Sequence, residues 1–225
     1  MTTRTIRIFF PAALTAIIAA CCGVALAQHD VQAVAKRVDA HYNRLRTLEA
    51  DFVETYTGVG VTRTESGTLV LKRPGRMRWD YREPREKLFI TDGKTAWFYI
   101  PGERQAQKIP LKKLDDLRSP IAYLLGRTRL EKEFSGLSLA PDVQPQAPGN
   151  VVLRGVPRHM GGITQVLMEV EPEGAFRRIV VELEDGSVTS FEFSRQRENA
   201  AVSDQRFRFV PPPGVETVET ESIGD

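Results

Sequence analysis

The sequence predicts a mainly β protein with a few helices, built around an antiparallel meander of about ten strands or more. Apolar Met77, Trp79 and Tyr81 alternate with charged residues, which is typical of a strand with one apolar face. Asp92-Gly93 and Asp185-Gly186 can supply the positive φ angles that tight hairpin turns need. No alternation of strands with helices and no long repeat is present, so parallel α/β and solenoid folds are excluded.

Residues 1–27 have the features of a signal peptide and are not expected to belong to the folded domain. Arg4 and Arg7 form a basic start, and Ile8–Ala20 form an apolar run that is short for a mature membrane span. Ala25-Leu26-Ala27 provides the small-x-small pattern of a cleavage site. We therefore expect the protein to be exported, with cleavage after Ala27.

A second interpretation of this leader remains open. Ile18-Ala19-Ala20-Cys21 resembles a lipobox, in which Cys21 would be lipidated and become the mature N-terminus. A helical pattern begins almost directly after Gln28 and leaves little chain for a tether, which favours cleavage after Ala27. Membrane extraction would distinguish the two, because a lipidated protein stays with the membrane.

Removal of the leader changes the charge balance and the cysteine content. The remaining 198 residues carry 29 basic and 29 acidic side chains, so the net charge is zero. Nucleic-acid binders and polybasic membrane-surface proteins need a sustained positive field, and the sequence argues against both classes. Cys21 and Cys22 are the two cysteines of the chain, and cleavage after Ala27 removes both. A thiol nucleophile, a disulfide and a thiolate metal site are therefore excluded in the mature protein.

The remaining chain predicts one domain over residues 28–215, followed by an acidic and flexible tail at residues 216–225. The clearest helix is predicted at Asp30–Leu48, with Asp30 as its N-cap. Its apolar residues recur at three- and four-residue spacing and form one stripe that must pack on the sheet: Val31, Val34, Val38, Tyr42 and Leu45.

A second, short helix is predicted after Ser119-Pro120, which combines a serine N-cap with proline at the first helical position. Ile121, Leu124 and Leu125 form its apolar ridge and Gly126 ends it. Such a helix forms only when it is docked. Two roles are open for it: a plain cover over one end of the sheet, or a lid that opens over a lipid pocket.

The other strands follow the same alternation, and Pro211-Pro212-Pro213 is expected to end the sheet. The sheet is expected to have one wet face, and residues 141–149 form a proline-rich loop. The concentration of aromatic residues at 79–99 is compatible with a pocket or with a filled core. Strands are predicted at 50–57, 67–100 in several segments, 151–156, 163–171, 176–184, 188–195 and 206–210.

The motifs of enzymes are not found in the sequence. Gly93-Lys94-Thr95 lacks the upstream glycine and the following helix of a phosphate-binding loop, so the hairpin interpretation is preferred. His29, His41 and His159 do not share metal-ligand spacing on one element, and His41 is expected on the polar side of the first helix. We expect no catalytic residue, no metal and no cofactor.

The segment 72–87 holds seven basic and three acidic residues and is interpreted as a solvated outer sheet face or a docking surface for an acidic partner. Arg73 differs from the others, because it follows Leu69 and Leu71 in alternation and points toward the apolar side. A guanidinium there needs carbonyl or carboxylate partners and could latch a mobile lid.

Several motifs resemble the LolA family of periplasmic carriers of outer-membrane lipoproteins. Leu-Lys-Arg-Pro-Gly-Arg-Met-Arg-Trp at 71–79, followed by Asp-Gly-Lys-Thr-Ala-Trp-Phe-Tyr at 92–99, looks like the paired signature of that family. Ser119-Pro120 with residues 121–125 resembles its lid helix, and residues 207–215 resemble its closing strand with a Pro-Pro-x-Gly-Val ending. The similarity spans nearly the whole mature chain.

The resemblance implies an incomplete, open antiparallel β-barrel closed by a lid of short helices. It implies a periplasmic, monomeric carrier that accepts lipoprotein acyl chains from an inner-membrane ABC transporter and passes them to a LolB-like outer-membrane receptor. An anchored LolB-like receptor, or a periplasmic domain that senses lipids or lipoproteins, is the alternative.

Arg73 matches the arginine that holds the lid of this family. The resemblance places the acyl chains in a hydrophobic cavity, and each residue predicted to line it is also a candidate for ordinary core packing. The predicted lining residues are Tyr42, Leu71, Met77, Trp79, Trp97, Leu124, Leu125, Phe191 and Phe193.

Overall fold

A computed structural model describes residues 19–110 and 129–220 of the chain, with the backbone alone for residues 19–30. Within these residues the chain forms two α-helices, twelve strands and a 3₁₀ turn at Asp204–Phe207. The helices are α1 (Ala19–Arg44) and α2 (Leu130–Glu133). The strands are β1 (Thr47–Gly58), β2 (Val61–Lys72), β3 (Arg76–Glu83), β4 (Lys87–Asp92), β5 (Thr95–Tyr99), β6 (Gln105–Pro110), β7 (Phe134–Leu139), β8 (Val151–Pro157), β9 (Ile163–Val170), β10 (Phe176–Leu183), β11 (Val188–Glu198) and β12 (Glu216–Glu219).

All twelve strands belong to one sheet, in the order β12-β6-β5-β4-β3-β2-β1-β11-β10-β9-β8-β7. Neighbouring strands are antiparallel, except that β12 lies parallel to β6. β12 and β7 are the two edges of this sheet, so hydrogen bonding does not close it into a barrel. The predicted fold class, mainly β with an open antiparallel sheet, is confirmed.

Helix α1 packs its apolar stripe on one face of the sheet, which we call the inner face. Val34, Val38, Tyr42 and Leu45 are buried there among side chains from the strands, as the helical periodicity predicted. The predicted bounds were wrong. In the full chain the helix begins at Ala19, within the predicted leader, so Asp30 is internal there and not its N-cap. The helix ends at Arg44 because the backbone from Thr47 onward pairs with β2.

Both predicted Asp-Gly turns are confirmed. In the β4–β5 turn, Asp92 Oδ1 accepts hydrogen bonds of 2.8 Å from the backbone N–H groups of Lys94 and Thr95, and Gly93 has φ +96°. Asp185 Oδ1 likewise accepts a hydrogen bond from the Ser187 N–H at 2.9 Å. The Gly-Lys-Thr sequence is therefore part of a hairpin turn.

Residues 199–210 form a strap across the other, outer face of β2, β3, β4 and β5. Phe207 is buried there with Val70, Ile90 and Val202. Two predictions were wrong here: residues 206–210 do not form a strand, and this half of the sheet does not have a wet outer face.

Ionic contacts and hydrogen bonds hold the strap in place. Lys72 Nζ lies 2.6 Å from both the Val202 carbonyl and Asp204 Oδ1, and Arg78 donates to the Arg206 carbonyl at 3.1 Å. Lys72 and Arg78 come from the basic segment, so part of its charge serves to hold the strap.

The proline-rich loop at residues 141–149 covers the outer face of the opposite half of the sheet. Glu169 of β9 is fully buried beneath this loop, where its Oε1 accepts hydrogen bonds of 2.8 Å from Gln146 N–H and from Asn150 Nδ2. Its other oxygen lies 3.3 Å from Arg178 Nε. A paired carboxylate therefore fixes the predicted loop.

The expectation of a flexible tail was wrong for residues 216–219, which form β12. The Glu216 N–H donates to the Arg104 carbonyl at 2.8 Å, and Lys108 Nζ lies 3.1 Å from Glu219 Oε1. The acidic side chains that indicated flexibility are compatible with an exposed edge strand. Residues 221–225 lie outside the described residues.

Replacement of Gly67 by alanine is expected to destabilise the sheet strongly. A Cβ at Gly67 would lie 2.0 Å from the Asp80 carbonyl oxygen and 2.9 Å from Tyr81 Cα, and the β3 backbone cannot yield as a flexible side chain would. We expect G67A to lower the free energy of unfolding by about 3 kcal/mol, measured by urea denaturation. G161A is the control, because a Cβ there meets nothing within 4 Å. Equal stability of the two variants would contradict the β2–β3 contact.

Candidate functional site

The candidate site is the apolar interior between α1 and the inner face of the sheet. Most of the predicted lining residues meet there, in one cluster of buried side chains that also includes residues from β8, β9 and β10. The structure therefore brings together side chains from both halves of the sheet. The predicted residues found in this cluster are Tyr42, Leu71, Met77, Trp79, Phe191 and Phe193.

Trp97 does not lie on the inner face. It pairs with Ile90 across β4 and β5, and its ring packs against Phe209 of the strap at a centroid distance of 5.2 Å. Strand alternation is the physical reason, because Trp79 pairs with Phe89 and Phe89 pairs with Phe98, so Phe98 shares the face of Trp79 and its neighbour Trp97 does not. The expectation that Trp97 lines the interior was wrong.

Leu124 and Leu125, together with the rest of the predicted lid helix at residues 119–126, lie outside the described residues. Their place at the interior remains a prediction. The chain leaves the described part at the end of β6, at Pro110, and enters it again just before α2.

Three aromatic rings lie against Trp79 inside the cluster. Phe52 meets it edge to face at 4.6 Å, Phe191 at 5.9 Å, and Tyr81 stacks with it at 6.2 Å between centroids. Phe52 was not among the predicted lining residues. The signal was available, because Phe52 is one of only two aromatic residues in the predicted strand at 50–57.

Tyr42 fixes α1 to the sheet. Its hydroxyl accepts a hydrogen bond of 2.8 Å from the Phe176 N–H, and the two rings stack with 5.0 Å between centroids. Complete burial raises the pKa of the Tyr42 hydroxyl, so the group stays neutral. Tyr42 is thus both a wall of the interior and its main polar anchor.

Two neighbours of Tyr42 add further contacts between α1 and the rest of the fold. His41 was expected on the polar side of the helix but is buried, with Nε2 3.1 Å from Glu198 Oε1. Burial lowers the pKa of His41, and the Glu198 carboxylate opposes that shift. Asp39 Oδ1 accepts a hydrogen bond of 3.1 Å from the Leu130 N–H at the start of α2.

Arg73 lies half-buried where α1 ends, beside Tyr42 and Leu71. These residues line a small pocket of about 10 Å³, close to the space that one water molecule needs. Burial lowers the pKa of the Arg73 guanidinium. The prediction that Arg73 points toward the apolar side agrees with this position, whereas its role as a lid latch stays a prediction.

One end of the inner face is polar. Glu54 and Glu65 stand directly opposite each other on β1 and β2. The Tyr81 hydroxyl donates to Glu54 Oε2 at 2.8 Å, and Lys87 Nζ lies 2.6 Å from Glu65 Oε2 and 4.3 Å from the centroid of the Tyr81 ring. We call these four residues the polar end. An apolar interior next to a paired polar end is suited to an amphiphile.

Glu54 gives the polar end a pH dependence. Burial raises the pKa of its carboxyl above the ordinary value of 4.5, although the Tyr81 hydrogen bond opposes the shift. The stability that this group contributes is therefore complete below its ordinary pKa and is lost as the pH rises through the higher pKa of the folded state.

E54Q cannot ionise but still accepts the Tyr81 hydrogen bond. We expect its free energy of unfolding, relative to the unsubstituted protein, to improve as the pH rises from about 4 to about 7 in urea denaturation. Y81F removes the donor that favours the carboxylate and should enlarge this pH dependence. Parallel stability curves for E54Q and the unsubstituted protein would show that Glu54 titrates as in the unfolded chain.

Two further observations concern metal ligands and membrane spans. In the part of the chain that the structure describes, three or more His, Cys, Asp or Glu side chains nowhere converge as a metal site would require. Among those same residues, no helix has the length and hydrophobicity of a membrane span.

Comparisons with known proteins agree with the geometry. Residues 43–210 match the family model described as outer membrane lipoprotein carrier protein LolA. A protein from Nitrosospira multiformis is 34% identical over 181 residues, covering 77% of this chain and 82% of its own. One from Chromobacterium violaceum is 33% identical over 224 residues, covering 93% and 97%. Both carry the name outer-membrane lipoprotein carrier protein.

An uncharacterized conserved protein from Thermus thermophilus has a similar fold, with a TM-score of 0.52 and 14% identity over 85% of this chain and 99% of that one. The family model covers well over half of the chain, and the two named relatives align with most of it. This chain belongs to the outer membrane lipoprotein carrier protein family, LolA.

Proposed function

We propose that this protein carries lipoproteins through the periplasm by holding their acyl chains in the interior between α1 and the sheet. The observation that carries the proposal is the continuous apolar cluster on the inner face, built around Trp79, Phe52 and Phe191. The protein receives its lipoprotein cargo from an inner-membrane ABC transporter and passes this cargo to a LolB-like receptor at the outer membrane. The carrier itself is a monomer.

Energetics explain why such a carrier needs an interior of this kind. Each methylene of an acyl chain that leaves a membrane for water loses about 0.8 kcal/mol, so several chains must be hidden together. Aromatic and aliphatic side chains provide that environment without forming a bond to the cargo. The proposed function needs no covalent step and no cofactor.

The interior has to widen before it can hold cargo, because its side chains pack against one another in this structure. Buried Met77 and Met168 lie in the cluster, and methionine adapts its shape more readily than branched residues. The sheet ends at β12 and β7, so widening does not require a closed ring of hydrogen bonds to break. These features support a container that expands on loading.

The polar end gives the cargo an orientation. Acyl chains would lie against Trp79 and Phe191, while the ester and amide groups that join them to the polypeptide would lie toward Tyr81 and Lys87. Buried polar groups need hydrogen-bonding partners, and this end of the inner face supplies them.

The leader supports delivery to the periplasm. Cleavage after Ala27 would release the carrier as a soluble protein that begins at Gln28, and we favour it over lipidation at Cys21. The transporter and the receptor are then reached by diffusion between the two membranes.

The test of the proposed function compares one substitution on the two faces of the sheet. W79A removes a large apolar contact from the interior, and W97A removes the same side chain from beneath the strap. We expect W79A to lower the amount of lipoprotein accepted from inner-membrane vesicles about tenfold, which corresponds to about 1.4 kcal/mol, and W97A to leave it within about twofold. Soluble lipoprotein is quantified by mass spectrometry after organic extraction.

The stability of both variants is measured beside acceptance, and W79F is the milder substitute should W79A fold poorly. Equal acceptance by W79A and W97A in folded protein would show that the interior does not hold the cargo. A protein that returns no acyl chains to organic solvent after incubation would overturn the carrier function itself.

Arg73 is proposed to hold the lid segment at residues 119–126 over the empty interior. Removal of a contact made only in the empty, closed form shifts the population toward the open, loaded form. We expect R73A to retain at least fivefold more lipoprotein after purification and to transfer less to acceptor membranes. R46A is the matched control, because Arg46 lines the same small pocket but is exposed. Identical retention by the two variants would rule out the latch.

A further inference from the structure

The β1–β2 hairpin ends in an exposed and uncharged tip, residues 57–62. Val59 is 92% exposed and Val61 is 58% exposed, and both are among the large apolar side chains most open to solvent in the described residues. Thr57, Gly58, Gly60 and Thr62 complete the tip. None of the six residues of the tip is charged.

The other connections between consecutive antiparallel strands in the described residues all carry charge. This includes the turns at the same end of the sheet as the tip, so the absence of charge is local to the β1–β2 hairpin. Charged residues in these connections include Arg73, Arg85, Lys94, Glu103, Asp142, Arg158, Glu173 and Asp185.

Valine at position 59 is not explained by the stability of the turn. Val59 has φ +47° and Gly60 has φ +75°, so both central residues of this two-residue hairpin loop have the positive φ angles of a type I′ turn. Asparagine or aspartate followed by glycine is preferred there, whereas a β-branched residue is strained. A strained residue that exposes its whole side chain indicates a role in binding.

The tip also stands clear of its neighbour. β2 pairs with β3 only from Ser66 onward, so residues 61–65 extend roughly 16 Å past the last paired residue of β3. On the other side, β11 pairs with β1 as far as Thr57. The hairpin is thus supported on one side while its tip is free to contact a surface.

The residues behind the tip are of the types found where proteins meet the lipid headgroups. Tyr56 and Arg63 stand opposite each other, with the guanidinium carbon of Arg63 5.7 Å from the centroid of the Tyr56 ring. Tyrosine and arginine place an apolar body toward the membrane and a polar group toward the headgroups. Arg63 Nε also lies 3.7 Å from Glu65 Oε2, and the Arg63 side chain is 58% exposed.

We propose that the tip docks on a phospholipid bilayer, with Val59 and Val61 inserted at the edge of the hydrocarbon region and Tyr56 and Arg63 among the headgroups. A protein partner fits less well, because two valines offer far less than the area of about 1,000 Å² that a stable protein–protein interface buries. The contact is weak and reversible, as a shuttle between two membranes requires. The tip adjoins the polar end, because Arg63 lies beside Glu65, but its docking does not depend on acyl binding in the interior.

The decisive variant is V59N, which separates folding from docking. Asparagine suits the positive φ of this turn, so the stability of V59N should equal or exceed that of the unsubstituted protein in urea denaturation. Flotation with vesicles of phosphatidylethanolamine and phosphatidylglycerol should show at least tenfold weaker binding, since one of the two inserted side chains is lost. V210N is the matched control, because Val210 is 79% exposed but lies outside the tip.

A second measurement locates the contact in the protein recovered from cells that express the full chain. Tryptophan at position 61 (V61W) should be quenched by vesicles whose phospholipids carry brominated acyl chains, and tryptophan at position 210 (V210W) should not. Quenching reports the position of the added ring itself, so a membrane contact made elsewhere in the chain cannot imitate it. The unsubstituted protein supplies the background from Trp79 and Trp97.

Unchanged vesicle binding by V59N would overturn the proposal, as would equal quenching of V61W and V210W. If V61W is not quenched but V59N still slows lipoprotein delivery, the tip contacts a protein and the bilayer is excluded. If V61W is quenched by the brominated vesicles but the protein binds no acyl chains, the result would count against the carrier function and not against docking of the tip.

Discussion

The packing of α1 on the inner face is the constraint on which the rest of the structure depends. An open sheet with an apolar face would expose that face to water if nothing covered it. Tyr42 settles the position of the helix, because its buried hydroxyl must find a partner and finds the Phe176 N–H of the sheet. His41 contacts Glu198 of β11 and Asp39 accepts a hydrogen bond from the start of α2, so three polar side chains of one helix fix it to the half of the sheet that runs from β11 to β7.

Both halves of the outer face of the sheet are also covered. The covering segments are distant in sequence from the strands beneath them. The strap reaches Lys72 from 130 positions away, and the proline-rich loop is held by Glu169. Among the described residues, the inner face is covered by α1 and by no second sheet. Cargo bound as proposed, in the interior, would leave the strap and the loop in place, so structural change on loading would be confined to the interior.

Local pattern predicted much of this fold, and its failures have a common cause. Alternation placed Met77 and Trp79 correctly, because strand parity is a property of neighbouring residues. Trp97 was misplaced because its face depends on the register between β4 and β5, which the aromatic content of the segment does not reveal. Phe207 and Phe209 alternate with charged residues as in a strand, yet Phe207 is the last residue of a 3₁₀ turn. Local pattern could not show this, because Phe207 is buried against Val70 and Ile90, which are distant in sequence.

A carrier must bind acyl chains and also give them up, and the packed interior serves the second need. Phe52 and Phe191 pack against Trp79 in this structure, so the proposed loading of the interior would replace contacts that already exist. The net affinity is the gain from hiding the acyl chains minus the cost of separating these rings. A rigid, preformed cavity would bind more tightly and release more slowly. Under the proposed function, packing of the interior side chains against one another would lower the affinity for acyl chains and so favour release of the cargo.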